Sequence, residues 1–66
     1  SPGNPDKGLT KNQMKLLQTK LKNLGYEVGQ IDGILGAKTR RSVQEVQKIL
    51  KKPADAWPTI ELLELL

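Results

Sequence analysis

The side chains able to do chemistry are few enough in this chain to weigh one at a time. Among 66 residues there is no Cys and no His, so a thiolate zinc site, a cysteine nucleophile and the usual general base are all missing. Seven acids remain. Asp32 and Asp55 each stand isolated, and only Glu61 and Glu64 fall on one helix face. Glycoside hydrolysis needs two carboxyl groups at a defined separation across a cleft, which two glutamates on a short exposed helix do not make. Neither catalysis nor a cofactor is expected of this chain. A calcium loop needs several oxygen ligands at alternate positions, whereas Asp32 is alone, so no metal site is expected either. Gly33-Ile34-Leu35-Gly36-Ala37-Lys38-Thr39 ends like a phosphate-binding loop, but the spacing is wrong and no strand precedes it.

Binding chemistry is left. Arg40 and Arg41, with Gln44 one turn on, open a predicted helix where guanidinium groups and free amides together can hold a carboxylate; otherwise they are solvated surface residues. Tyr26 either covers the end of the preceding helix or offers an amphipathic ring to a sugar or peptide. Trp57 is a core plug or hydrophobic staple, or a stacking surface. Asp32-Gly33 is a turn dipeptide in which the carboxylate accepts from nearby amides and Gly33 takes the left-handed conformation; direct ligand contact is compatible with that role. Tyr26, Asp32, Gly33, Arg40, Arg41, Gln44 and Trp57 are therefore the candidate ligand-binding residues.

Three helices must position them. Thr10-Lys11-Asn12-Gln13 has capping-box form, and Met14, Leu17, Leu21 and Leu24 follow at helical spacing until Gly25 supplies a stop. A second periodic segment runs from about Ala37 to Leu50, with Thr39, Val43, Val46 and Leu50 on one face and Pro53 ending it. A third short helix opens with Pro58 in its first turn and Glu61 near its positive end. Nothing reads as a sustained strand, so the fold class is all-α, a compact three-helix domain. The connection from Gly25 to Gly36 holds four of the six glycines beside Tyr26, Val28, Ile31, Ile34 and Leu35. It is expected to be an ordered loop, turned by glycine and fastened by Val28, Ile31 and Leu35 pointing inward. Glycines at its junction with the second helix are expected to leave an amide-lined notch open to a ligand. A faint internal echo pairs Ile31-Asp32-Gly33, Thr39 and Val43 with Ala54-Asp55-Ala56, Thr59 and Leu63, the second copy shortened.

The net charge is +4, but residues 1–52 hold all eleven bases against four acids. A basic front suits an anionic partner, whether nucleic acid, lipid headgroup or an acidic wall polymer, and equally serves solubility. Residues 1–8, SPGNPDKG, read as a linker or remnant and 9–66 as the domain. The longest apolar run is too short to span a membrane.

Leu17-Gln18, Leu21, Leu24-Gly25-Tyr26, Gly29, Asp32-Gly33, Gly36, Thr39, Val43 and Gln47, followed by an Asp-containing turn and a Thr before a leucine-rich end, resemble the small peptidoglycan-binding domain family. The match spans about residues 16–66. Pro53-Ala54-Asp55-Ala56-Trp57-Pro58-Thr59 is most similar to the version at the C-terminus of lytic murein transglycosylases. The resemblance implies a non-catalytic module that holds an attached wall-remodelling enzyme on peptidoglycan, through its glycan or its stem peptide, in the bacterial envelope and specifically the periplasm. Two positions depart from the family pattern: Val46 stands where Phe is frequent, and the second turn is Asp55-Ala56 without glycine, which implies a regular conformation at residue 56.

Rivals from other classes are a basic helical nucleic-acid-binding domain and a protein–peptide interaction module. The first is opposed by a glycine-rich connection too long for a helix-turn-helix and by bases not gathered on one recognition helix. Nucleic acid is therefore not the expected partner.

Overall fold

The structure, a computed structural model, describes residues 8–66; apart from Gly8, the leader expected over 1–8 lies outside the described residues. Among these there are three helices, α1 (Lys11–Asn23), α2 (Ala37–Ile49) and α3 (Ile60–Leu65), and no strand. The capping box at α1 is formed: the Gln13 amide donates to Thr10 Oγ1 and the Thr10 amide to Gln13 Oε1. Both α1 and α2 end on a left-handed residue that returns the orphan carbonyls to the chain. Gly25 does this for α1, with the Tyr26 amide reaching Leu21 O; Lys51 does it for α2, with the Lys52 amide reaching Gln47 O. Lys51 rather than Pro53 is thus the stop of α2.

The core is Met14, Leu17 and Leu21 from α1, Val28 from the loop, Val43 and Val46 from α2, and Leu62 and Leu63 from α3, with Tyr26 and Leu35 packed against it. Burying each such side chain contributes about 1.5–3 kcal/mol, so so small a core also needs its polar members satisfied. Those are Gln18, Thr39, Ser42 and Gln47.

Three expectations need correcting. Pro58 is not in the first turn of α3: Thr59 is the N-cap, its hydroxyl accepting from the Leu62 amide, and the buried Pro58 sits just ahead of it. Leu50 leaves the core face because it is the C-cap of α2, past the last helical residue Ile49. Of the three aliphatics expected to fasten the loop, Val28 is buried and Leu35 packs on the core, but Ile31 is exposed.

Candidate functional site

Two turns hold the helices at their angles, and they are built alike. In the first, Asp32–Ile34, Asp32 Oδ1 accepts from the Ile34 amide at 2.9 Å, Gln18 Oε1 accepts from the Gly33 amide at 2.9 Å, and Gln18 Nε2 donates to Ile34 O at 3.0 Å. In the second, Asp55–Trp57, Asp55 Oδ1 accepts from the Trp57 amide, Gln47 Oε1 from the Ala56 amide, and Gln47 Nε2 donates to Trp57 O. A helical glutamine thus clamps each Asp turn, and the middle residue is left-handed in both, at φ 78° for Gly33 and 62° for Ala56. Ala56 is therefore not in a regular conformation, contrary to the sequence-based expectation. The Gln47 carbonyl fixes its amide, and its methyl group is buried in exchange for the strain. In both turns the amide held by the carboxylate lowers the Asp pKa, Ile34 for Asp32 and Trp57 for Asp55, with the clamping glutamine adding to it.

This geometry resets the internal echo. Asp32 precedes the N-cap of α2, Gly36, by as many positions as Asp55 precedes Thr59, the N-cap of α3. Thr39 therefore corresponds to Leu62 rather than Thr59, and the shortening lies before the Asp, between the glutamine and the turn. Thr39 is buried, its hydroxyl taking a hydrogen bond from Gln18 and lying 3.2 Å from Val28 O.

The amides of the Asp32 bend are filled by the domain's own Gln18 and Asp32, so no notch opens at the bend itself. An open surface lies instead along the solvent side of α2. A cavity lined by Tyr26, Lys38, Arg41, Ser42 and Glu45 adjoins a second over Arg40, Arg41, Gln44 and Asp55. The second adjoins a third over Leu35, Arg40, Trp57 and Pro58. Neighbouring cavities share Ala37 and Arg41, then Arg40, Asp55 and Ala56, so together they make one groove with Tyr26 at one end and Trp57 at the other. Gly36, at the start of α2, brings no side-chain cap, and a methyl group built there meets nothing within 4 Å.

Tyr26, Arg40, Arg41, Gln44 and Trp57 are thus brought together along the groove. Among the described residues, the side chains of Arg40 and Arg41 have no hydrogen-bond or ion-pair partner, while Lys38, Lys48 and Lys52 pair with Glu27, Glu45 and Glu61. Gln44 donates to Ala54 O at 3.1 Å and so braces the second turn from within the groove. Trp57 is 45% exposed, too open for a core plug, and one edge of its indole faces Gly8. Asp32 lines a neighbouring depression with Gln30 and Ile34. Gly33 faces inward: a Cβ there would lie 2.6 Å from Lys11 Cγ and 3.0 Å from Lys11 O.

Sequence reasoning gave no role in the site to Lys38, Glu45 or Leu35, or to the clamps Gln18 and Gln47. The glutamines follow a buried apolar residue at equivalent places in the two copies of the echo, which was the available signal. Among the described residues no group of three His, Cys, Asp or Glu is placed to hold a metal, and no helix is long and apolar enough to cross a membrane.

Residues 10–66 match the family model for the peptidoglycan binding domain. The crystal structure of SltB3 from Pseudomonas aeruginosa, solved in complex with NAG-anhNAM-pentapeptide, superposes with a TM-score of 0.85 at 38% identity over 92% of this chain. The chain spans only 16% of that protein's length. Curated proteins offer no sequence match.

Proposed function

The chain belongs to the peptidoglycan-binding domain family, and from that premise we propose that it binds the wall polymer non-covalently, in the groove over α2, and thereby holds an attached lytic transglycosylase on its substrate in the periplasm. The observation that carries this reading is the pair of guanidinium groups, Arg40 and Arg41, without a partner among the described residues, in the middle of a groove that ends on an aromatic ring at each side. Guanidinium groups hold carboxylates by two parallel hydrogen bonds, and stem peptides carry carboxylates; Tyr26 and Trp57 give flat apolar surface to sugar or peptide. The ligand named in the SltB3 structure has both sugar and peptide parts, which supports a groove of mixed character.

The domain's work is positional. Modest affinity suffices, because a short flexible linker gives an effective concentration of about millimolar for the attached enzyme on a polymer of many repeats.

Co-sedimentation with purified protein-free sacculi tests the reading. Wild type is expected in the pellet, and the double variant Arg40→Ala/Arg41→Ala, checked as folded by circular dichroism, is expected to lose at least about tenfold in affinity, as for charge-assisted hydrogen bonds. Wild-type protein left in the supernatant would contradict it. Duplex DNA in a parallel arm, with binding that falls steeply with salt, would favour the nucleic-acid reading instead.

A further inference from the structure

The Tyr26 end of the groove differs in charge from the rest. Its cavity, about 420 Å³, is large enough for a small polar group and is walled by Tyr26 and Ala37. Basic and acidic groups share its rim: Lys38 and Arg41 against Glu27 and Glu45. Arg41 and Glu45 lie one helical turn apart on the same face, with Cβ atoms about 5–6 Å apart, yet do not pair with each other. Glu45 instead reaches outward to the exposed Lys48 at 3.6 Å, and Glu27 to Lys38 at 3.5 Å. Such exposed pairs are weak and exchange readily for a ligand's charges. Ser42 offers no free donor, since its hydroxyl lies 2.7 Å from Glu27 O and 3.0 Å from Lys38 O; it ties the Tyr26 segment to α2.

A neutral sugar has no use for charges of both signs. A carbon bearing an ammonium and a carboxylate does. We infer that this end of the groove binds the zwitterionic distal group of a diamino acid in uncross-linked stem peptides, its carboxylate on Arg41 and its ammonium on Glu45, with the aliphatic stem against Tyr26. Cross-linking acylates that ammonium, so the domain prefers wall that is not yet bridged. The inference rests on the proposed wall-binding reading and narrows it to one ligand group.

The test uses sacculi whose diamino acid is diaminopimelate, either untreated or N-acetylated with acetic anhydride. Wild type is expected to bind the acetylated wall about two- to fivefold more weakly, the effect of an exposed ion pair. Glu45→Gln, an exposed change that leaves the core intact, is expected to weaken binding to untreated wall by a similar factor and to abolish the difference between the two preparations. Equal wild-type binding to both walls, or a Glu45→Gln variant as sensitive to acetylation as wild type, overturns the inference while leaving wall binding in place. No wild-type binding to untreated sacculi overturns the reading beneath it.

Discussion

The Asp32 turn and the Asp55 turn share one hydrogen-bond frame and differ in what they put on it. The first places glycine at its left-handed position and glycine at the N-cap of the helix it feeds; the second places Ala56 and Thr59 there. Close approach explains the first glycine, since Lys11, by its Cγ and its backbone oxygen, occupies the space a Cβ would need. No packing requires the second, because Gly36 has extended backbone and open space around it. A stronger cap was available at Gly36 and is not used, on the same helix whose outer side forms the groove. The back half of the domain is finished for stability; the front half leaves one helix start uncovered.

Removing the clamps breaks the comparison most severely. Gln18→Met keeps the volume but strands the Gly33 amide, the Ile34 carbonyl and the Thr39 hydroxyl, so a loss of about 3 kcal/mol in denaturant unfolding is expected. Gln47→Met is expected to cost about 2 kcal/mol, because Gln47 has no partner like Thr39 through which to hold the loop as far as Val28. A larger loss at Gln47 would show that the second turn, not the first, organises the fold. For a domain of this size either change is a large part of its total stability.

Next come the left-handed positions. Gly33→Ala adds strain at φ 78° and a clash with Lys11, with an expected cost of about 2–3 kcal/mol. Lys51→Gly relieves a left-handed lysine on the surface and is expected to gain about 1 kcal/mol. Ala56→Gly relieves the same strain but raises the entropy of the unfolded chain and loses a buried methyl of about 0.8 kcal/mol, so stability from thermal melting is expected to change by less than about 0.5 kcal/mol. A clear gain from Ala56→Gly would mean that the buried methyl contributes little.

The smallest effect is on acid stability. Both aspartates have folded-state pKa values below the unfolded one, so their contribution is fully present above about pH 4 and is lost as pH falls through the lower folded values. Urea midpoints are expected to be flat in these two groups between pH 7 and about 5, and to fall only below about pH 4. Asp32→Asn and Asp55→Asn should each reduce that acid limb.

Much of this was legible from residue order. The stripe Met14, Leu17, Leu21 and the stripe Val43, Val46 read as helices because only a 3.6-residue period places them on one side, and Thr10 and Gly25 mark the ends of the first. Asp32-Gly33 announced its own conformation. Ala56 did not, because its left-handed backbone is imposed by Gln47, distant in the chain, and no local propensity encodes that bond. Gln18 and Gln47 look like surface polar residues until their amides are found buried. The groove was legible only as loose candidates: Arg40, Arg41 and Gln44 follow one another in sequence, but their alignment with Tyr26 and Trp57 depends on how two turns fold against one helix. At the Asp32 bend the amides are filled for the same reason, since Gln18 comes from another element, while the start of α2 at Gly36 stays uncapped.

The most direct measurement is the map of backbone amide shifts in the isotopically labelled domain as soluble disaccharide–peptide fragments of the wall are added. Perturbations are expected at Tyr26, along residues 37–45 and at residues 55–57, with α1 residues 15–22 unmoved. Shifts concentrated on the outer surface of α1, or on the C-terminal end of α3, would contradict a binding groove over α2.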